Sequence, residues 1–334
     1  MNNSWAIDGL NCAGVNSEQM QKTLQGGVNA INLTCLMPFV GLVEGLIALE
    51  EIRAKIRAID DVAFVVSSTK DIEDAAAQNR VGIILGTQHS LIVEDDERLL
   101  RTFKELGIRI LQPTYNSPCK YGYGAPQVGD EDKGMTEAGR NWLNEMHAQE
   151  LLVDLSHCGH TTTTDFIEAN KNSGRPIVIS HANAYDICPS PRNKTDAHIR
   201  GIAECGGLIG TVMWSPAVRH DERPTMDDYL NHLDHMINVG GIDHVSFGSD
   251  VVESPQTDPE IWDKSYGPNG TNQNITGVLG DWYVYDTRMN KDYMSLTDTP
   301  AIWDGMRKRG YGEDAIEKTM RGNWLRVLKD VWGK

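Results

Sequence analysis

The chain has 334 residues, of which 40% are hydrophobic and 23% charged, so it can bury a large core in one large domain or two ordinary ones. Its formal net charge of -16 and its pI near 5.0 disfavour nucleic acid and anionic membrane surfaces as partners, because like charges repel. The opening MNNSWAIDGL lacks the basic and apolar segments of an export signal, and no apolar run approaches ~18 residues. We therefore expect a cytoplasmic protein without membrane association, whose six scattered cysteines are reduced.

Strand-like and helix-like segments alternate along the chain. Apolar runs predict eight main strands, which begin near Trp5, Val28, Val81, Gly107, Leu151, Pro176, Gly207 and His244, with VAFVVSS as an accessory strand. Helical patterns are predicted at 17–25, 38–59, 71–78, 95–106, from Thr136 onward with this threonine as the N-cap, and at 195–204, 227–239 and 313–332. The helix at 38–59 should place an apolar stripe on the barrel wall, formed by Leu42, Leu46, Leu49, Ile52 and Ile56. Eight parallel strands with intervening helices are typical of a (β/α)8 barrel, so we predict a single barrel domain over 1–334. A doubly wound open sheet is the alternative, but no GxGxxG follows the first strand.

Two stretches interrupt this periodicity. Residues 113–134 form a long loop after the fourth main strand, and residues 253–293 follow the last strand. The second stretch is rich in aromatic side chains, namely Trp262, Tyr266, Trp282, Tyr283 and Tyr285. Because segments that follow barrel strands emerge at the catalytic face, we predict a lid over the site. A rigid packed insertion or an oligomer contact is the alternative.

Three polar side chains follow the ends of predicted strands. The run LLVDLS is followed by His157, PIVIS by His181, and the strand HVSFGSD ends in Asp250. Each histidine alone is typical of a hydrogen-bonded structural residue. Together they indicate a site, because the carboxyl ends of parallel barrel strands converge and neutral imidazole is a common metal ligand.

Four segments carry a resemblance to a known family. VDLSH, ISHANAYDICPSPRN, GIDHVSFGSD and RGNWLRVL resemble the renal or membrane dipeptidase family of the amidohydrolase superfamily, in order and spacing over nearly the whole chain. The resemblance implies a dipeptide-hydrolysing barrel that holds two zinc ions bridged by a glutamate, and it implies a homodimer. It assigns His157 and His181 to one metal position, Asp250 to the aspartate of the last strand and Arg192 to the substrate carboxylate. A guanidinium suits that role because it binds a carboxylate in bidentate fashion.

The chain departs from the family at the other metal position. The HxD motif of the first strand falls at Leu10 and Cys12, the bridging glutamate at Gln88, and a histidine after the fourth strand at Tyr115. Leucine cannot bind a metal, and a neutral amide is a weak ligand. We therefore predict a degenerate version of the dinuclear site.

The retained residues predict a metal site with one ion. We expect one zinc ion at His157 and His181, completed by Asp250, Gln88, water or Cys12, with two ions as the less favoured alternative. Asp250, if it is not a ligand, would act as general base, and Tyr115 would bind substrate and donate to the developing oxyanion. The predicted function is metal-dependent hydrolysis of a dipeptide or a similar small amide with a free carboxylate, through one activated water.

Two other functions stay open at this point. One is a barrel enzyme for a different small carboxylate, such as an N-substituted amino acid or a betaine, with the aromatic stretch as a cation–π cage. The other is a catalytically silent small-molecule binding protein, which the missing ligands would suit. Among the remaining polar residues, His89 and His160 are further candidates near the mouth. His198, His232 and His235 are predicted to lie on the surface. The acidic runs 94–97 and 130–132 are predicted to be solvated faces or helix-start charges.

Overall fold

The structure is a computed structural model that describes residues 5–253, 258–267 and 269–333. Within these residues the strands are β1 Ala6–Asn11, β2 Val28–Leu36, β3 Ala63–Val65, β4 Val81–Thr87, β5 Ile108–Leu111, β6 Leu152–Val153, β7 Ile209–Thr211 and β8 Val245–Phe247. The α-helices are α1 Ser17–Gln25, α2 Leu42–Arg57, α3 Thr69–Ala77, α4 Leu99–Glu105, α5 Glu137–Ala148, α6 His160–Asn170, α7 Asp196–Glu204, α8 Ser215–Val218, α9 Met226–Gly240, α10 Pro259–Tyr266, α11 Gln273–Thr276, α12 Pro300–Lys308, α13 Glu313–Glu317 and α14 Asn323–Trp332. Short 3-10 turns lie at Leu91–Val93, Gly129–Glu131, Ile242–His244, Tyr285–Thr287 and Leu296–Asp298.

The parallel strands close into a barrel. Strands β1, β2, β4, β5 and β6 pair in that order, β7 pairs with β8, and the short β3 pairs beside β4 as an accessory strand. Isolated parallel bridges join the two sheets at Asp154↔Val178, Ile179↔Ile209 and Asn11↔Val251. The segment PIVIS therefore takes the sixth place in the ring, although it forms single bridges rather than a continuous strand. The predicted (β/α)8 barrel is confirmed.

Side chains alternate between the two sides of the barrel wall. One buried cluster takes a residue from successive strand segments and joins them to α14: Ile7, Ala30, Ile84, Ile110, Leu152, Val178, Leu208, Trp324, Val327, Leu328 and Val331. The residues between them pack outward against the surrounding helices. Asn323 donates to the carbonyls of Ile242 and Val245, just before and at the start of β8, so α14 covers the end of the barrel where strands begin. The opposite end is left for the site.

The predicted apolar stripe of α2 is only partly correct. The helix begins at Leu42, four residues later than predicted, and Gly41 occupies its N-cap position. Leu49 and Ile56 are buried on the barrel wall, but Leu46 is 39% exposed. The stripe is narrower than the sequence periodicity suggested because only one edge of this helix packs on the wall.

Several residues predicted to be solvated are buried. Asp132 accepts hydrogen bonds from Thr161 N at 2.7 Å and from Thr162 Oγ1 at 2.7 Å, so it is a helix-start charge at α6, one of its two predicted roles, and is buried. His198 is buried and hydrogen bonds Thr164 Oγ1. His232 is fully buried between the backbone of Ala184 and that of Val218. Helical position alone did not show that both histidines face neighbouring loops and helices.

The predicted cap of α5 is confirmed, while the closing helix differs from its prediction. Thr136 accepts a hydrogen bond from Gly139 N at 2.9 Å, as an N-cap residue does. The predicted helix 313–332 is interrupted by a π-helical turn at Lys318–Gly322 between α13 and α14. In the described part of the chain, no helix is long and apolar enough to cross a membrane.

Candidate active site

A cavity of about 160 Å³ lies at the carboxyl ends of the barrel strands. It is lined by most of the site residues predicted from the sequence, namely Cys12, Gln88, Tyr115, His157, Arg192 and Asp250. His181 is fully buried and contacts the cavity residue His157. The structure therefore brings together the side chains that the sequence placed at separate strand ends, and their chemical roles stay predictions.

The two histidines converge through the same ring atom. Nε2 of His157 lies 3.1 Å from Nε2 of His181, and the ring centroids are 5.1 Å apart. Burial, with a further contribution from the nearby Arg192 charge, lowers the pKa of both imidazoles well below its usual value, so both are neutral. Two nitrogens at this separation can both lie about 2.1 Å from one zinc ion.

Hydrogen bonds determine which ring nitrogen carries the proton. Nδ1 of His157 lies 2.7 Å from Oδ1 of Asn116, which only accepts, so Nδ1 is the protonated nitrogen. Ser180 Oγ donates to Asp154 Oδ2 at 2.5 Å, and it accepts from Nδ1–H of His181 at 2.8 Å. Both Nε2 atoms therefore present lone pairs to each other. The donor set fits one cation between them, and the polar partners behind it are those that orient metal-bound histidines.

Two glycines allow the histidine segment to approach this position. A Cβ on Gly210 would lie 2.0 Å from the Ser180 carbonyl oxygen, and a Cβ on Gly248 would lie 2.2 Å from the same atom. Only residues without a side chain fit at these two places. The carbonyl before His181 therefore packs directly against β7 and the end of β8, which fixes the imidazole at the strand end.

Arg192 lies against His157. Its Nη2 donates to Nε2 of His157 at 3.1 Å, and its Nη1 donates to the carbonyl of Ser156. No carboxylate of the described residues lies within ion-pair distance of its guanidinium. The buried charge is thus available to an anionic ligand, but in this conformation Arg192 uses the His157 lone pair that a metal would need.

The residues at the other metal position do not fit an ion. Leu10 is buried and apolar. Gln88 directs its Nε2 at Thr34 Oγ1, 2.9 Å away, and at Cys12 Sγ, 3.4 Å away. Burial raises the pKa of the Cys12 thiol far above its usual value, which keeps the sulfur protonated. In this arrangement a protonated thiol and an amide NH2 group present hydrogens where a metal needs lone pairs. The loss of the dinuclear site stays a prediction.

Asp250 follows β8 and lines the same cavity as His157. It adopts a left-handed backbone conformation (φ 53°), and its Oδ1 lies 3.7 Å from Cys12 Sγ. Burial raises the pKa of the Asp250 carboxyl to about 6, against the opposing effect of Arg192. Within the described residues neither Asp250 nor Cys12 comes within 4.8 Å of both histidine nitrogens. Both residues therefore stay predictions as metal ligands.

Aromatic side chains form the remaining walls. Tyr115 stacks on His157 with centroids 4.2 Å apart, and burial raises the pKa of its hydroxyl, which stays a neutral donor. Trp262, Tyr266 and Tyr283 from the stretch 253–293 also line the cavity. Trp262 lies 5.3 Å from Tyr283 between centroids, so these rings pack on each other as well as on the cavity.

Sequence reasoning missed several cavity residues. Asn116 follows Tyr115 in the long loop, and Trp214 follows β7, which is a position where a barrel places functional residues. Arg288 and Met289 also line the cavity and lie inside the aromatic stretch. Position after a strand would have found Trp214, but no local pattern indicates Arg288.

The other histidine candidates lie outside the cavity. His89 contacts the carbonyl of Met37 and the amide of Leu91, while His160 contacts the carbonyl of Asn193, so backbone groups occupy their rings. His235 forms a group with Asp186 and Asp196 whose ligand atoms lie within 4.8 Å of one another. Asp186 of that group is exposed in the loop before α7, Asp196 on α7 and His235 on α9 are half-buried, and none of the three is among the residues that line the cavity.

The fold and the site define a class of protein: a parallel α/β barrel whose site residues, two converging histidines among them, lie at the carboxyl ends of the strands. The family profile "membrane dipeptidase (peptidase family M19)" matches residues 15–269. The chain therefore belongs to the membrane dipeptidase family, as its motifs predicted, and is a hydrolase of the metal-dependent, dipeptidase-like class.

The chain is also similar to individual proteins over most of its length. An uncharacterised protein of the pqqA 5′ region of Klebsiella pneumoniae is 28% identical over 273 residues, which cover 79% of this chain and 88% of that protein. An amidohydrolase from Pseudomonas aeruginosa superimposes with a TM-score of 0.87 at 29% identity, covering 99% of this chain and 98% of that one. A metallopeptidase from Rhodobacter sphaeroides, solved with a phosphinate mimic of L-Ala-D-Ala, shares the fold with a TM-score of 0.75 at 21% identity, covering 98% and 99%.

Proposed function

We propose that the protein hydrolyses a dipeptide, or a similar small amide with a free carboxylate, at a single metal position. The observation that carries the proposal is the convergence of the His157 and His181 Nε2 atoms, 3.1 Å apart, at a cavity that also contains Arg192 and Asp250. His157 and His181 would hold the ion, zinc by family resemblance. When bound, such an ion lowers the pKa of its water enough to supply hydroxide near neutral pH.

The side chains around this position have separable roles in the proposal. Arg192 orients the substrate by binding its carboxylate, which requires the guanidinium to release His157. Asp250, with a pKa of about 6, is mostly ionised at neutral pH and accepts the proton of the attacking water. Tyr115, held neutral by burial, donates to the oxygen that becomes negative during attack. The aromatic walls exclude bulk water and strengthen these interactions.

Metal content per chain tests the proposal. We expect about one tightly bound zinc ion per chain after chelation and zinc addition, and loss of the ion in His157→Gln and in His181→Gln. Amide hydrolysis should fall in both variants by more than about 100-fold. His235→Gln is the matched control, because it removes the histidine of the surface group with Asp186 and Asp196. An ion lost only in that control would place the metal on the surface and contradict the proposal.

A second function has one observation in its favour. Trp214, Trp262, Tyr266 and Tyr283 surround the cavity as faces that would bind a quaternary or N-substituted ammonium by cation–π contact. Turnover of N-substituted amino acids or betaines without any dipeptide turnover would select this enzyme. Ligand binding without metal or turnover would instead select the silent binding protein. The homodimer and the cytoplasmic location stay predictions.

A further inference from the structure

The charge of the cavity is opposite to that of the whole chain. The protein has 47 acidic and 31 basic residues, yet the ionisable side chains that line the cavity include two guanidiniums, Arg192 and Arg288, and one carboxylate, Asp250. A cavity with a net positive charge in a protein of net charge -16 selects anions from solution.

Arg288 has no acidic partner within the described residues. Its guanidinium carbon lies 3.7 Å from the centroid of the Tyr285 ring, and its Nη1 donates to the Tyr285 carbonyl. Arg307, in contrast, contacts two carboxylates, those of Asp304 and Glu313. Arg288 is therefore held in place by neutral groups while its charge remains uncompensated at the cavity wall.

We propose that Arg288 selects substrates with a second carboxylate, so that the preferred substrates are dipeptides or N-acyl amino acids with an aspartate-like or glutamate-like side chain. The inference rests on the proposed function for the first carboxylate, which binds Arg192. The second carboxylate pairs with the guanidinium of Arg288, which has further N–H donors besides the Nη1 that contacts the Tyr285 carbonyl.

The surrounding apolar walls increase the discrimination. Trp262, Tyr283 and Met289 line the same cavity, so a bound side chain displaces water from around Arg288. A carboxylate compensates for that lost water, whereas a neutral amide of the same size leaves the charge poorly solvated. The expected preference for the acid over the amide is about 10- to 100-fold in kcat/KM.

Paired substrates and a paired variant test this inference. Ala-Glu and Ala-Gln differ only in the group at the end of the second side chain, a charged carboxylate or a neutral amide, and Ala-Asp and Ala-Asn differ in the same way. The unmodified protein should prefer the acidic member of each pair. Arg288→Gln should remove the preference mainly by raising KM for the acid with little change in kcat, and Arg288→Lys should retain part of it. Arg140→Gln, an exposed position on α5, is the control and should keep the full preference.

A binding measurement separates this inference from the proposed function. Calorimetry needs no turnover, and it compares glutarate with its monoamide glutaramate, in which one of the two carboxylates is replaced by a neutral amide. If glutarate binds at least about 10-fold more tightly and Arg288→Gln loses the difference, the inference holds even when no dipeptide is cleaved. If dipeptides are cleaved with equal efficiency for acid and amide, the inference is overturned and the hydrolase stands. Failure of glutarate to bind the unmodified protein also overturns it.

Discussion

At the scale of single residues, the buried Asp154 determines the proton position on His181 without touching a reacting atom. It accepts hydrogen bonds from Ser156 Oγ and Ser180 Oγ at 2.5 Å each and from Gln112 Nε2 at 2.7 Å. Because the Ser180 hydroxyl donates its only hydrogen to Asp154, it can only accept a hydrogen bond from Nδ1–H of His181. The carboxylate of Asp154, two hydrogen bonds away, therefore keeps the proton of His181 on Nδ1 and leaves the lone pair on Nε2.

Asp154→Asn should weaken metal binding by about 10- to 100-fold, because an amide NH2 group turns the Ser180 proton toward His181 and moves the imidazole proton to Nε2. Chelator competition measures the affinity, and nitrogen-15 spectra of His181 report the tautomer. Asp132→Asn is the matched control, since Asp132 is also buried and accepts several hydrogen bonds, but at the start of α6. Unchanged metal affinity in Asp154→Asn, or an equal loss in the control, would contradict this role.

The sequence predicts some of these residues and hides others for a physical reason. His157, His181 and Asp250 follow apolar runs, so their strand-end positions and their convergence can be read from the sequence. The pairing of His157 with Asn116 joins residues 41 apart, and no pattern within a single segment encodes it. The same limit explains His232, whose burial depends on loops that reach it from 14 and 48 residues away.

At the scale of elements, the aromatic stretch after β8 provides part of the cavity wall through α10 and the residues near Tyr283. We expect it to act as a lid, so that amide hydrogen exchange in 258–267 and 273–290 slows when a ligand fills the cavity. The reason is that Trp262, Tyr266 and Arg288 would contact the ligand directly. Exchange mass spectrometry with and without a dipeptide mimic measures the effect. Helix α5 serves as the internal reference, and equal exchange in both states would instead identify a rigid insertion.

Element order was predictable because each strand is buried on both faces and each helix has a polar face, which gives the two a different period along the chain. The lengths of the strands were not predictable from these patterns. The segment PIVIS reads as a strand, but it is held by single bridges to Asp154 and Ile209 as the barrel closes. The closure depends on glycines at 210 and 248 that admit the Ser180 carbonyl, and a pattern of apolar residues does not reveal so close a contact.

At the scale of the whole molecule, buried neutral histidines make the fold sensitive to acid. Burial lowers the folded-state pKa of His232 to about 4, against an ordinary value of 6.5, and similar shifts hold for His89, His147 and His198. Below pH 6.5 these histidines bind protons in the unfolded chain but stay neutral in the folded chain. The stability these groups contribute is therefore complete above about pH 6.5 and is lost as the pH falls toward about 4.

Two carboxyls oppose this trend, because burial raises the pKa of Asp8 and of Asp250 to about 6 in the folded state. Their contribution increases as the pH falls through 6, but they are outnumbered by the histidines. We therefore expect the free energy of unfolding, measured by urea denaturation with chelator present, to decrease between about pH 7 and about pH 5. His232→Gln should destabilise the protein at about pH 7 and narrow its difference from the unmodified chain by up to about 3 kcal/mol at low pH. If the free energy of unfolding stays constant or increases as the pH falls from about 7 to about 5, the histidines have similar pKa values in the folded and unfolded states.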